Sequence, residues 1–307
     1  MTDKHCFNGD LMIEVRKLIK DYGTFRALDE VSFTFKKPGI FGIIGHNGAG
    51  KTTLLKCMAG LIQPTSGDLI IDGIDVRRDP ARLKEILGYL PEESRLYETM
   101  TVESYLRFFG EIYGIPADEC RIRSGKLLAS LQLDSGGKRI GELSKGMRRK
   151  VAIARSLLHE PSLLIYDEPT SGLDPMTSRY IIGYLAHLRD TRKKTILLSA
   201  HNLYQVEEIC DRVLILRHGK VAAFGTMEEL REQFGSLSYH IRFVTDTIGT
   251  LPPSLSFQEE SGEYVAHAES MDELNAVTAA VAAVGGVVRR IESRYPSLEE
   301  MLLMIGK

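Results

Sequence analysis

Gly45-His46-Asn47-Gly48-Ala49-Gly50-Lys51-Thr52 has the spacing G-x-x-x-x-G-K-[ST], in which glycines let successive backbone N–H groups converge on phosphate oxygens. Gly45, Asn47, Gly48, Ala49, Gly50, Lys51, Thr52 and Thr53 are the residues this pattern offers to a phosphate chain. By composition alone such a pattern arises on the order of once in a hundred chains of this length, so a glycine-rich turn without function is the weaker reading. The ligand it calls for is ATP or GTP. Asp167 and Glu168 stand 116 and 117 positions after Lys51, at the end of the apolar run Leu163-Leu164-Ile165-Tyr166. An acid in that place supplies an oxygen ligand to Mg²⁺ bridging phosphate oxygens, and its neighbour is set to orient or deprotonate an attacking water. His201, just after Ser199-Ala200, is placed to hydrogen-bond a γ-phosphate and that water. The other seven histidines, His46 included, have no comparable placement and read as surface or structural residues.

Such chemistry needs a strand that ends at the loop and a helix that begins there. Gly39-Ile40-Phe41-Gly42-Ile43-Ile44 reads as a short buried strand and residues 52–60 as the helix, so loop amides and helix N-terminus form one anion site. Residues 11–75 are β-rich, with Val31-Ser32-Phe33-Thr34-Phe35 alternating and residues 67–73 forming a strand that ends in a turn. Between 101 and 159 the period becomes helical: Val102, Tyr105, Leu106 and Phe109 share one face, and Leu127, Leu128 and Leu131 follow in a second segment. The core resumes with residues 162–166, a helix at about 178–191 and a strand at 195–199. This alternation implies a parallel sheet with right-handed crossovers. Near Gly235 the pattern breaks. Leu237, Tyr239, Ile241 and Phe243 alternate as a half-buried strand, residues 251–254 form a loop, and 263–268 form a strand. Leu274, Val277, Val281 and Val284 make one face of a helix closed by Gly285-Gly286; residues 287–291 are a strand, and Ser297-Leu298-Glu299-Glu300 opens a final helix with a capping box.

The 307 residues suit one large domain and a smaller one. A net charge of −2, from 39 basic and 41 acidic residues, lacks the excess of a nucleic-acid binder. Cys6, Cys57, Cys120 and Cys210 are scattered with no C-x-x-C, which argues against zinc or a disulfide framework and suits a reducing, cytoplasmic setting. Residues 1–11 have no apolar signal region, and the weakly polar run 276–288 falls short of the ~20 residues a membrane helix needs.

At Leu143-Ser144-Lys145-Gly146-Met147 the chain resembles the signature of ATP-binding cassette (ABC) ATPases. The resemblance spans residues 11–235 and rests on elements in order: Tyr22 ahead of the first strands, the phosphate loop, Tyr89-Leu90-Pro91-Glu92, the signature, Leu164-Ile165-Tyr166-Asp167-Glu168-Pro169 with Ser171-Gly172-Leu173-Asp174, and His201. It implies an α/β fold of the P-loop NTPase (RecA-like) type: a parallel-sheet core, an antiparallel β subdomain, a helical subdomain at about 93–159, and a C-terminal accessory α+β domain at 236–307. By this resemblance Tyr22 stacks on adenine, Lys51 contacts the β- and γ-phosphates, and Thr52, Glu92 and Asp167 serve Mg²⁺. Glu168 and His201 are catalytic with Lys51. Ser144 and Gly146 point a hydroxyl, an amide and a helix dipole at the γ-phosphate of ATP held by another subunit. With one cassette in the chain, the active unit is then a head-to-tail pair, a homodimer or a pairing with a related subunit, the homodimer being the expected form, with Asp174 in the loop that crosses the interface. Two departures stand out: Glu92 replaces the usual Gln, and Lys145 and Met147 replace Gly and Gln of the signature. Lys145 reads equally as a phosphate contact and as a solvated lysine.

The family drives its load through the helical subdomain, and Leu96, Tyr97 and Met100 are candidates for gripping a permease helix. The span 88–114 and the appended domain resemble ABC-2-type exporter subunits. The expected protein is therefore the ATPase of a transporter, cytoplasmic and held at the inner face of the cell membrane by a separate permease. A soluble mechanical ATPase acting on ribosomes or DNA is the alternative. Against it, Lys51 and Ser144 are only 93 positions apart with no sustained heptads between them, and there is one cassette. A poorly hydrolysing regulatory partner is a third reading, opposed by Glu168 and His201.

Overall fold

The computed structural model describes residues 11–36, 38–235, 237–247, 256–260 and 262–306. Residues 1–10, with Cys6, and the loop expected at 251–254 lie outside them. The chain divides after Met227 into two compact units.

The first unit opens with a hairpin of β1 (Ile13–Tyr22) and β2 (Phe25–Phe35), followed by β3 (Ile40–Ile44) and α1 (Lys51–Met58). Next come β4 (Ser66–Ile71), β5 (Ile74–Asp75), α2 (Pro80–Ile86) and β6 (Leu87–Leu90). Three helices follow: α3 (Val102–Ile112), α4 (Ala117–Ser130) and, after a 3-10 turn at Ile140–Glu142, α5 (Lys145–Leu157). The unit ends with β7 (Leu163–Tyr166), α6 (Pro175–Arg192), β8 (Thr195–Ser199), α7 (Leu203–Ile209), β9 (Arg212–Arg217) and β10 (Lys220–Gly225). One sheet, ordered β2-β1-β4-β5, is antiparallel. The other, ordered β10-β9-β3-β8-β7-β6, is parallel from β9 to β6, with β10 antiparallel at its edge.

Every residue of β3, β7 and β8 is buried, which is why they read as unbroken apolar runs: parallel strands are covered on both faces. One core joins Val15, Leu18, Val31 and Phe35 of the antiparallel sheet to Ile43, Ile165, Leu197 and Leu214 of the parallel one, with Leu54, Leu55 and Met58 from α1. In α3 the expected face is buried at Val102, Tyr105 and Leu106. Thr101 caps it, its Oγ1 accepting from Ser104 N, a cap worth about 1 kcal/mol.

The second unit contains all but the first residue of α8 (Met227–Phe234), then β11 (Ser238–Val244), β12 (Phe257–Glu260), β13 (Glu263–Ala268), α9 (Met271–Ala283), β14 (Val287–Arg294) and α10 (Leu298–Gly306). Its antiparallel sheet runs β12-β13-β11-β14. Ile241 and Phe243 pack against Leu274, Val277 and Val281 of α9, the strand and helix faces expected from periodicity. The capping box forms: Ser297 N donates to Glu300 Oε2 at 2.8 Å and Glu300 N donates to Ser297 Oγ at 3.3 Å.

Candidate nucleotide site

The phosphate loop joins β3 to α1. Gly45, Gly48 and Gly50 have φ of 151°, 80° and 104°, conformations that side chains resist. A Cβ on Gly45 would stand 2.2 Å from Leu216 O, and one on Gly50 would stand 2.6 Å from Ala27 O. Asn47 and Gly48 are exposed at the loop's tip, Ala49 is buried beneath it, and Thr52 and Thr53 are half-buried on the first turn of α1. Lys51 is buried, its Nζ donating to Gly45 O at 2.7 Å and His46 O at 3.2 Å. Burial pushes its pKa down, while the negative charges of Glu168, Asp167 and Glu92 oppose that shift. Those three carboxylates thus converge on the loop from β6 and β7.

β7 delivers Asp167 and Glu168, both buried. Ser199, at the end of β8, braces the pair: its Oγ donates to Asp167 Oδ1 at 2.6 Å and accepts from Glu168 N at 2.9 Å. Glu168 has φ 48°, a left-handed conformation costing a non-glycine residue about 1 kcal/mol or more. That turn aims its carboxylate at His201, whose Nε2 lies 2.5 Å from Oε1. Burial raises the Glu168 pKa, Glu92 and Asp167 add to the rise, and His201 and Lys51 pull against it.

Tyr22 ends β1, whereas the sequence suggested that it precede the first strands; the apolar pattern of β1 is obscured by bulges between Val15 and Asp21. Its ring is 48% exposed and stands opposite exposed Phe25 in the hairpin. Ala27, further along β2, abuts Gly50, which sets this hairpin beside the phosphate loop. In the signature, Ser144 Oγ caps α5 by accepting from Met147 N at 3.2 Å, and a Cβ on Gly146 would approach Thr177 Cγ2 to 3.1 Å. Lys145 bends over its own chain's Gly172, where a Cβ would lie 2.1 Å from Nζ. Among the described residues no hydrogen bond ties Ser144 or Gly146 to the phosphate loop. One chain therefore assembles Lys51, Glu92, Asp167, Glu168 and His201, with Tyr22 on the neighbouring hairpin.

Two contributors escaped the sequence reading. Ser199 sits next to Ala200-His201 and differs from any other strand serine only by its partners. Arg149 is a buried cation bonded to the carbonyls that follow β6 and β7. The oxygen-only set of Thr52, Glu92 and Asp167 fits Mg²⁺ chemically. Among the described residues no three His, Cys, Asp or Glu side chains cluster as a self-sufficient metal site, as befits an ion that takes one or two carboxylates and completes its shell with phosphate and water.

The parallel sheet, the phosphate loop between β3 and α1, and the acids after β7 define a P-loop nucleotide-hydrolase cassette carrying an antiparallel sheet and three added helices. Residues 28–171 match the family described as ABC transporter, and residues 225–305 match the C-terminal domain of DrrA1-3-like ATP-binding proteins. The ABC transporter ATP-binding protein NatA of Bacillus subtilis is 38% identical over 73% of this chain and 91% of its own length. The linearmycin resistance ATP-binding protein LnrL, also of Bacillus subtilis, is 34% identical over 73% of this chain and 72% of its own. Among solved structures, a dimeric ATP-binding cassette in a post-hydrolysis state, with ADP and phosphate bound, superposes with a TM-score of 0.65 at 25% identity, covering 70% of this chain and 98% of that one. The chain belongs to the ATP-binding proteins of ABC transporters. Among its described residues, no helix is long and apolar enough to cross a membrane.

Proposed function

We propose that the protein hydrolyses ATP in a head-to-tail dimer and couples that reaction to export through a separate membrane permease. The Glu168–His201 pair carries this reading: a carboxylate with a raised pKa, turned by a left-handed backbone and held at 2.5 Å by an imidazole, is suited to take a proton from water. Residues 11–235 form the nucleotide-binding domain and 236–307 the accessory domain. Tyr22 stacks on adenine. Amides of Gly45, Asn47, Gly48, Ala49 and Gly50, with Lys51, Thr52 and Thr53, receive the phosphates, and Ser144 and Gly146 meet the γ-phosphate held by the partner chain. Thr52, Glu92 and Asp167 would hold Mg²⁺, which when bound supplies positive charge at the β- and γ-phosphate oxygens. Glu168 accepts the proton of the attacking water while His201 fixes its orientation.

The load is gripped beside β6. Leu61, Tyr89, Phe109, Ile112, Tyr113 and Arg155 line an apolar cleft of about 530 Å³, and Ile112 is 62% exposed. This cleft suits an apolar helix from a permease. Of the residues named from sequence, Tyr97 packs edge-on against Tyr105 and Phe108, whereas Leu96 lines a separate polar cleft with Glu92, Lys145 and Arg148. Export is favoured by the resistance role printed in the name of LnrL. Affinity capture from gently solubilised cells is expected to recover a polytopic membrane protein in near-stoichiometric amount. Recovery of ribosomal proteins or DNA-bound factors without one would favour the soluble mechanical ATPase instead.

Two further results are expected of this site. Glu168 works only when deprotonated, so turnover falls with decreasing pH through a value above glutamate's ordinary 4.5. His201→Ala removes a group that holds this pKa down, so the acid limb of kcat should move to higher pH; an unmoved limb would separate His201 from Glu168. Ser199→Ala deprives Asp167 of a donor and Glu168 N of an acceptor, and kcat should fall about 10- to 100-fold, the rate equivalent of losing one or two buried hydrogen bonds. Steady-state kinetics with wild-type values would show that the brace is dispensable.

A further inference from the structure

Arg149 lies inside the first unit, about one turn into α5, and is 7% exposed. Among the described contacts it has no carboxylate partner. Its Nε donates to Pro169 O at 2.8 Å; its Nη1 donates to Pro91 O at 2.8 Å, Glu92 O at 2.9 Å and Ser94 Oγ at 3.4 Å. Nη2 donates to Asp167 O at 3.4 Å and to Glu168 O. One guanidinium therefore collects five main-chain carbonyls, two from the segment that carries Glu92 and three from the segment that carries Asp167 and Glu168. A buried cation is costly unless its donors are filled, and a planar fork with five N–H groups is the side chain able to fill them here.

We infer that Arg149 is a positioning residue for ATP hydrolysis: it clamps the main chains of Glu92 and of Asp167-Glu168 to α5, so that displacement of the signature helix moves both acidic segments together. This rests on the ATPase reading above. The helix is well built to transmit such a displacement. Its N-cap is Ser144, followed directly by Lys145 and Gly146. Arg155, six residues beyond Arg149, reaches the other end of the same system: it donates to Tyr89 O at 3.3 Å and Tyr105 OH at 3.1 Å, and its guanidinium lies 5.3 Å from the Phe109 ring centroid. Tyr89, Phe109 and Arg155 all line the apolar cleft. Six residues of α-helix span about 9 Å, so one rigid rod carries the signature, the clamp on the acids and a wall of the cleft.

The test uses the full chain with Arg149→Met, which keeps bulk but no donor, Arg149→Gln, and Arg149→Lys, which keeps the charge with three donors. Expected for Met and Gln are a kcat at least about 30-fold lower, roughly the loss from misplacing a general base, and a rise of at least fivefold in the Mg²⁺ concentration giving half-maximal turnover. Binding of ATP without Mg²⁺ should stay within threefold of wild type, and Lys should recover part of both losses. Wild-type kcat and Mg²⁺ dependence in folded Arg149→Met or Arg149→Gln, with only a lowered melting temperature, would make Arg149 a structural staple and overturn the inference. Should the wild-type chain itself not turn over ATP, the ATPase reading fails; Mg²⁺-dependent tightening of ATP binding, weakened in the variants or unaltered, then decides the clamp separately.

Discussion

Glu168→Gln is expected to lower ATP turnover by at least about 10², the usual scale for loss of a general base, while ATP binding stays within threefold of wild type. Glutamine preserves the size of the side chain and the amide that donates to Ser199 Oγ. It removes proton affinity and one negative charge from a site already crowded by Glu92 and Asp167. Less repulsion toward the γ-phosphate should prolong the ATP-bound state, so the variant should also retain ATP and dimerise more persistently. Single-turnover kinetics with size-exclusion chromatography in ATP measure both effects. Unchanged turnover would remove Glu168 from the mechanism.

Lys51→Ala should fail at the opposite step. The Lys51 ammonium is the cation felt alongside Glu92, Asp167 and Glu168. Without it, those carboxylates face a polyanionic ligand with no side-chain counter-charge from the loop. ATP affinity should fall by about 10², comparable to losing a strong charge-assisted contact in a water-poor site, and turnover should fall with it. Stability should change little, since among the described residues Nζ bonds only to Gly45 O and His46 O of the same loop. Equilibrium binding within threefold of wild type, in a variant that melts normally, would show that the phosphates lie elsewhere. Together the two substitutions separate binding from hydrolysis.

What could be read in the sequence was chemistry carried by contiguous residues. The loop from Gly45 to Thr52 has its meaning in backbone conformations that glycines announce, and Asp167-Glu168 follows a strand whose four residues are all buried. The Ile241/Phe243 and Leu274/Val277/Val281 faces were equally visible, because periods of two and 3.6 survive wherever one face meets a core. Other features depended on pairings distant in the chain. The brace on Asp167 comes from Ser199, 32 residues away, and the bonds of Arg149 reach back 58 residues to Pro91. Nothing local distinguishes Ser199 from an ordinary strand serine or Arg149 from an exposed helical arginine. The hairpin of β9 and β10 and the short helix α2 went unread beside stronger signals. The apolar cleft escaped for a similar reason: Phe109 and Tyr89 belong to different elements, and only tertiary packing makes them neighbours.

The central claim, that each hydrolytic site is built from two copies of the chain, is tested by mixing two inactive variants. Glu168→Gln disables the site on its own chain, whereas Ser144→Arg blocks the surface offered to the partner's ATP. In a head-to-tail dimer, a mixed pair contains one doubly damaged site and one intact site. An equimolar mixture should therefore regain turnover, about a quarter of the wild-type rate per chain if partners assort randomly and the sites act independently. No recovery, in mixtures shown to exchange subunits, would contradict the shared-site arrangement and the proposed roles of Ser144 and Gly146.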